Sequence, residues 1–216
     1  MKLSMRRLFQ LALLVAAAVP APWLLADGGE RVVNLAMEDQ FKNRHETLRM
    51  RGDVVVLVYA ERKGAEASMA LGRKLHVRFH PQAAQAAATE WSRQPVVGLA
   101  GWPAGSAPPD VHVIPVACLP EVPKALEAVA RSRFRKDSQF VSVWLDFEDT
   151  MRQRFGVVPD EPNVALIDTR GCPQGVISGH LDEVRFAEVV NVIDQLRLRS
   201  LPDRTAAIPA AVTTVR

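Results

Sequence analysis

The side chains of this sequence that could do chemistry are few and widely spaced. Cys118 and Cys172 are its two cysteines, and they lie in different parts of the chain. A lone cysteine whose thiolate is accessible can act as a nucleophile in peroxide reduction or thiol transfer, and Cys118 is the candidate for such an enzyme. The alternative is that Cys118 is a small buried residue, because free cysteine is among the most buried residue types.

His76 and His80 are four residues apart in a helical pattern, so their rings could share one helix face. No acidic residue or third ligand completes a zinc motif beside them, and the other histidines are scattered along the chain. The glycines at residues 98–101 lack the lysine that a phosphate-binding loop requires. We therefore expect neither a metal site nor a bound cofactor.

Residues 1–26 have the layout of a secretory signal. A basic start is followed by an apolar run over residues 8–19 and by small residues before Asp27. We expect export to the periplasm or secretion from the cell. The alternative is an uncleaved membrane anchor over residues 8–26, since this apolar span approaches the ~20 residues that a bilayer requires.

The charge balance argues against nucleic-acid binding. The chain has 27 basic and 24 acidic residues, and Lys2, Arg6 and Arg7 lie in the predicted leader, which has no acid. Removing these three leaves 24 against 24, so the pI near 9.1 is mostly a property of the leader. Residues 27–201 are enough for one packed domain, and the Ala, Thr, Pro and Val tail at 202–216 is expected to be disordered.

The elements that must position these side chains are arranged around a strand at residues 54–60. Its seven consecutive apolar residues, rich in Val, are typical of a strand buried on both faces. A β-hairpin over residues 31–50 precedes it. The helix at 65–79 follows, with apolar residues at every fourth position. Residues 82–91 are rich in alanine and predict a further helix, whereas prolines and glycines make 94–110 a loop, either functional or a floppy insertion.

The rest of the chain alternates between strands and helices. Strands at 111–117, 141–145, 164–168 and 176–179 are interleaved with helices at 123–134, 149–155 and 182–198. Such alternation implies parallel strands, while the short turn at 169–171 makes the last two strands antiparallel. We therefore predict an α/β fold: a mixed β-sheet flanked by helices on both faces, with an N-terminal β-hairpin.

This order resembles the thioredoxin-like superfamily, particularly the branch of peroxiredoxins and bacterial periplasmic thiol-disulfide oxidoreductases. The resemblance covers roughly residues 32–198. Its strongest matches are residues 54–60 as the strand before the active site, Glu161-Pro162-Asn163 as the cis-proline turn, and 164–171 as the hairpin that follows. Asn163 stands where family members commonly have Thr. The resemblance implies that Pro162 is cis and faces a substrate groove; the alternative is a proline that ends a loop in either isomer.

The reactive Cys-x-x-Cys of thiol oxidoreductases is missing from this sequence. Lys63 and Glu66 occupy the comparable positions, and Lys63 cannot supply the thiolate on which disulfide exchange depends. Cys118 is expected at the ligand-binding end of the sheet and Cys172 at the opposite end. A strand of five or six residues spans roughly 17 to 20 Å and bridged Cα atoms lie within about 7 Å, so we expect no intramolecular disulfide.

These observations favour an exported, redox-inactive thioredoxin-like protein that acts as a binding or interaction module. Its partner would be a protein or peptide of the exported compartment, with the membrane involved only through an uncleaved leader. The expected contact surface is a groove formed by residues 61–66, Pro162 and the 94–110 loop, with Lys63, Glu66 and Pro162 as binding residues. The alternative is an enzyme that uses Cys118 as a single-cysteine peroxidase or thiol oxidoreductase.

Overall fold

Seven strands and four α-helices make up residues 31–201, the part of the chain that the computed structural model describes. The predicted leader and tail lie outside these residues. The strands are β1 Ala36–Asp39, β2 Arg44–Glu46, β3 Val54–Ala60, β4 Val111–Cys118, β5 Trp144–Asp146, β6 Asn163–Ile167 and β7 Pro173–Ser178. The helices are α1 Ala65–Phe79, α2 Glu127–Asp137, α3 Thr150–Phe155 and α4 Glu183–Leu198. Among the described residues, no helix combines the length and the apolar character that spanning a bilayer requires.

The strands form one sheet in the order β2-β1-β5-β4-β3-β6-β7. β3, β4 and β5 are parallel, whereas β6 is antiparallel to both β3 and β7. The predicted mixed sheet is therefore confirmed. All seven residues of β3 are buried, because β3 lies inside the sheet and both of its faces are covered by packed side chains.

Two apolar layers cover the two faces of the sheet. On one face, residues of α1 and α4, including Phe79 and Ile193, pack against alternate β3 residues such as Val56. On the other face, Tyr59 and Met151 belong to a cluster that also takes in Trp144 of β5. The alternation of side chains along β3 therefore gives each layer its share of the central strand.

The predicted N-terminal hairpin is present as the pair of β1 and β2. Asp39 holds its turn, since its Oδ1 accepts hydrogen bonds from the backbone N–H groups of Phe41 at 2.8 Å and Asn43 at 2.9 Å. The strands are shorter than the predicted span because the chain turns into a 3-10 helix at Thr47–Met50 before it enters β3.

The helix predicted at residues 82–91 is wrong. Two 3-10 turns, Pro81–Gln85 and Trp91–Arg93, flank an irregular stretch instead. The physical reason is tertiary: the buried rings of His76 and His80 bond the backbone carbonyls of Trp91 and Gln94, which holds this segment against the end of α1. Alanine content alone could not show that these contacts override helix propensity.

The loop at 94–110 is tied to the domain at both ends, so the floppy-insertion alternative does not hold there. Arg197 of α4 donates to the carbonyls of Val97 at 2.9 Å and Pro109 at 2.8 Å. The backbone N–H of Val97 donates to the carbonyl of Phe79, the last residue of α1. The loop therefore lies at the C-terminal end of α1. Since a helix of this length spans about 22 Å, the loop is far from residues 61–66, and the predicted groove that joined the two is wrong.

Candidate binding site

The candidate site is the junction between β3 and α1. β3 ends at Ala60, a 3-10 turn runs over Arg62–Gly64, and α1 begins at Ala65. Lys63 lies in the turn and Glu66 in the first turn of α1, and both residues are exposed to solvent. An acidic side chain at this end of a helix is favoured by the helix dipole, but neither residue has the chemistry of a thiol.

Gly64 brings the turn into close contact with the loop before β6. A Cβ atom built on Gly64 would lie only 2.8 Å from the carbonyl oxygen of Glu161, so only glycine fits without a shift of the backbone. Beside this contact, Lys63 Nζ lies 3.2 Å from Asp160 Oδ2. The structure therefore brings Lys63 next to the loop that contains Pro162.

Pro162 is buried, and its peptide bond with Glu161 is trans, so the expected cis bond is wrong. The neighbouring Asn163 stands where the resembled family usually has Thr, and its side chain makes several hydrogen bonds within this loop and to β7. Its Nδ2 donates to the carbonyls of Glu161 at 2.9 Å and Val158 at 3.2 Å, and its Oδ1 accepts from Ser178 Oγ at 2.6 Å. The Glu161 carbonyl is thereby bonded within the loop.

Ion pairs surround the junction. Arg152 of α3 pairs with Glu61, and its Nε lies 3.2 Å from Asp149 Oδ2. On the other side, His180 Nε2 is 3.8 Å from Glu161 Oε2. Pairs with this degree of exposure contribute little to stability.

Cys118 lies at the same end of the sheet but below the surface. It is only 4% exposed and belongs to the core layer that contains Tyr59. Burial raises the pKa of the Cys118 thiol to about 12, and the negative charges of Asp146, Glu61 and Asp149 act in the same direction. Cys118 is therefore a neutral thiol near pH 7, which disfavours its use as a nucleophile.

Cys172 is also buried. Cys118 is in register with Asp146 at the end of β5. Cys172 follows the C-terminal end of β6, where Ile167 is paired with Val55 near the start of β3. The two cysteines therefore lie at opposite ends of the sheet, as expected from the sequence.

A group of Asp39, His45 and Ser142 has the residue types of a hydrolytic triad but not its geometry. The same ring nitrogen, His45 Nε2, lies 2.9 Å from Asp39 Oδ2 and 3.3 Å from Ser142 Oγ. A triad needs the carboxylate and the hydroxyl on different nitrogens, so that the base can accept the hydroxyl proton. Over residues 31–201, no three His, Cys, Asp or Glu side chains are grouped to hold a metal ion.

Sequence reasoning missed several residues that shape the junction. Gly64 was visible as a glycine at the start of a helix, and its requirement could have been suspected from that position alone. Asn163 was visible as a departure from the family pattern. Arg152 and Asp160 carried no local signal, because each acquires its role only through a partner that is distant in the chain.

No protein-family model matches the sequence, and the comparison with curated proteins found no match. Among solved structures, the chain is similar to the exposed lipoprotein thioredoxin of Streptococcus pneumoniae, with 15% identity and a TM-score of 0.48 over 76% of this chain and 99% of that one. A secreted thiol-disulfide isomerase from Corynebacterium glutamicum has 16% identity and a TM-score of 0.47, with 77% of this chain and 84% of that one covered. A peroxiredoxin-like protein from Aquifex aeolicus has 16% identity and a TM-score of 0.45, with 78% and 86% covered.

These identities are too low to transfer an activity. The observed topology, in contrast, agrees with the resemblance noted from the sequence: β3 leads into α1, β3 to β5 are parallel, and an antiparallel hairpin and α4 close the domain. The described residues therefore form the mixed α/β sheet that the resemblance implies, and the strand-to-helix junction contains no cysteine.

Proposed function

We propose that this protein is an exported binding module that does not catalyse thiol redox chemistry. One observation carries the proposal: the reactive-cysteine position holds Lys63, paired with Asp160, on a turn packed through Gly64 against Glu161. Both thiols of the chain are buried elsewhere. Export is inferred from the predicted secretory signal at residues 1–26.

The proposed contact area, here called the junction surface, comprises residues 61–66, Met69 and residues 158–161. Met69 lies one turn after Glu66 on the same face of α1 and is 62% exposed, and Val158 is 47% exposed. Exposed apolar side chains among charged ones are suited to a protein or peptide partner, for which the apolar groups supply the buried core and the charges the rim. Pro162, being buried, would act by holding residues 158–161 in place rather than by direct contact.

Site-specific photo-crosslinking in the exporting cell tests the binding role. A photoreactive residue is placed at Glu66, and a matched control at Glu90, which is exposed beside the far end of α1. We expect a discrete adduct at position 66 that mass spectrometry identifies as a protein or peptide. It should weaken when Lys63→Glu puts two like charges beside each other at Asp160. Equal labelling at both positions, or none at position 66, would contradict the proposed surface.

The proposed lack of thiol redox catalysis is tested separately with purified protein. Peroxide consumption and insulin reduction should stay at the background rate, and Cys118→Ser should leave that rate unchanged. Thiol-dependent turnover that disappears in Cys118→Ser would instead establish the single-cysteine enzyme. The two experiments can fail independently, since a protein can bind a partner at the junction surface and still carry a reactive thiol.

A further inference from the structure

The most unusual buried group outside the junction is His80, which follows the last residue of α1 and is 4% exposed. Its Nδ1 lies 2.8 Å from the carbonyl oxygen of Gln94, and its Nε2 lies 3.1 Å from the carbonyl oxygen of Val111. Both ring nitrogens therefore face oxygen atoms that can only accept hydrogen bonds.

A neutral imidazole cannot satisfy this arrangement, because only one of its nitrogens carries a hydrogen. The other nitrogen would direct its lone pair at a carbonyl oxygen, which is repulsive and leaves a buried polar contact unmade. A doubly protonated ring donates to both carbonyls. The geometry around His80 is thus that of an imidazolium.

We propose that His80 is a pH-dependent clamp that holds the segment at residues 86–96 against the domain when protonated and releases it when the ring loses a proton. This proposal concerns the opposite end of α1 from the junction surface and does not rest on the proposed function.

The charged and titratable groups around His80 support a cationic ring. Asp110, which precedes β4, places its Oδ1 3.5 Å from His80 Nε2. Asp53 is linked to it, because Asp53 Oδ1 accepts from the backbone N–H of Asp110 at 2.7 Å. The opposing cation is Arg197, which is bonded to the carbonyl of Pro109 and pairs with its own acid, Asp194.

His76 stacks on His80, with ring centroids 4.4 Å apart, and donates its Nε2 hydrogen to the carbonyl of Trp91. Burial lowers the pKa of His76, and the charge of His80 acts in the same direction. His76 is therefore the neutral member of the stack. Its ring also contacts the indole of Trp91, at a centroid distance of 3.9 Å, so release of the segment would separate this pair.

When the His80 ring loses a proton, the contact that should break is the one to the carbonyl of Gln94. Val111 is the first residue of β4 and is in register with Val54 of the central strand, so its carbonyl cannot move without disturbing the sheet. Gln94 follows a short 3-10 turn and belongs to no helix or strand. Loss of the proton should therefore free the segment and leave the sheet intact.

The protonation state can be measured directly in the wild-type protein. Two-dimensional NMR of protein labelled with ¹⁵N-histidine reports each ring nitrogen as protonated or bare. We expect both nitrogens of His80 to be protonated at low pH, and Nδ1 to become bare as the pH is raised. A single neutral tautomer at every pH would overturn the proposal.

Release of the segment is measured by hydrogen exchange over residues 86–96, expressed as protection factors so that the intrinsic pH dependence of exchange is removed. We expect protection to fall about tenfold from low to high pH, the effect of losing one charge-assisted hydrogen bond. Protection over β3 and β4 should stay constant. Unchanged protection over 86–96 would overturn the proposal.

Two variants separate His80 from its neighbour. His80→Gln cannot donate to both carbonyls and should show the low protection at every pH. His76→Gln keeps a donor for the carbonyl of Trp91 and should retain the pH response. Loss of the pH response in His76→Gln would mean that His76 and not His80 is the titrating ring, which would overturn the proposal. If His80→Gln fails to fold, the wild-type NMR titration still decides the outcome, because it needs no variant.

Discussion

At the scale of single residues, burial decides what the reactive side chains of this protein can do. Cys118 occupies the end of β4 that adjoins the junction, yet its side chain points into the core layer with Tyr59 and Trp144. The same type of residue at an exposed helix N-terminus would have a lowered pKa. Here the pKa is raised, because a thiolate would be separated from water and placed near carboxylates.

The raised pKa of Cys118 predicts a loss of stability at alkaline pH. The ordinary pKa of 9.0 applies to the unfolded chain and about 12 to the folded one. Above pH 9 the unfolded chain releases the proton and the folded chain keeps it, so the stabilisation present below pH 9 is lost as the pH rises towards 12. At about pH 10.5 the free energy of unfolding should have fallen by about 2 kcal/mol on this account.

Urea unfolding of the wild type and Cys118→Ala, between pH 8 and pH 10.5, checks this prediction. The variant is expected to be less stable at every pH, because it leaves a small cavity, so the slopes and not the absolute values are compared. The wild type should lose about 2 kcal/mol more than the variant over this range. The pKa of Tyr59 is raised mainly by burial, which both proteins share, and to a lesser extent by Cys118, which only the wild type has. Parallel slopes would show that the Cys118 thiol titrates in the folded state as it does in the unfolded one.

At the scale of elements, the junction depends on how closely the β3–α1 turn approaches the loop before β6. Gly64 permits that approach, and Asn163 fixes the loop by hydrogen bonds to its carbonyls. The identities of these two residues were available in the sequence. Their roles depend on a contact between segments almost a hundred positions apart, which no local pattern records.

Two glycine substitutions test the close approach. Gly64→Ala should lower the free energy of unfolding by about 1 to 3 kcal/mol, because its Cβ would meet the Glu161 backbone. Gly72→Ala is the matched control. It lies within α1, its Cβ would be 3.8 Å from Val58, and it should be neutral or stabilising by up to about 1 kcal/mol, since alanine favours the helix.

Chemical denaturation of the two variants measures these differences. Equal stabilities of Gly64→Ala and the wild type would mean that the turn can move away from Glu161, in which case the junction surface is adaptable. A strong destabilisation by Gly72→Ala would instead indicate that α1 packs more tightly on β3 than the structure shows.

At the scale of the whole molecule, the long connection between α1 and β4 is integrated into the domain by buried polar contacts. Arg197 is fully buried near the end of α4, and it joins Asp194, Val97 and Pro109. Its role could not be inferred from the sequence, where it is one of two arginines at the C-terminal end of α4. Arginines at a helix C-terminus are usually exposed to solvent, so the burial of Arg197 is not what its position in the sequence predicts.

Arg197→Met keeps much of the side-chain volume but removes the donors. The free energy of unfolding should fall by about 3 kcal/mol or more, because buried carbonyls lose their bonds and Asp194 loses its partner. Arg133→Ala, whose side chain is 84% exposed in a weak ion pair, should change it by less than about 0.5 kcal/mol. Thermal or urea unfolding of both variants provides the comparison, and similar small effects would mean that water or a rearranged loop replaces the Arg197 bonds.

Local sequence patterns were sufficient to predict the arrangement of the sheet. The apolar run at residues 54–60 predicted the central strand, alternating strands and helices predicted the parallel core, and the turn at 169–171 predicted the antiparallel hairpin. These features depend on the period of apolar residues and on connection length, which are local properties. The absence of Cys-x-x-Cys at the junction was likewise evident from residue identities.

The remaining features arise from contacts between distant segments. The trans bond at Pro162, the irregular course of residues 82–91 and the position of the 94–110 loop away from the junction all differ from the local expectations. Each is associated with polar groups from separate parts of the chain that satisfy one another in a buried setting. Hydrogen bonds of this kind have no sequence period, because their partners become neighbours only when the sheet and its helices have been assembled.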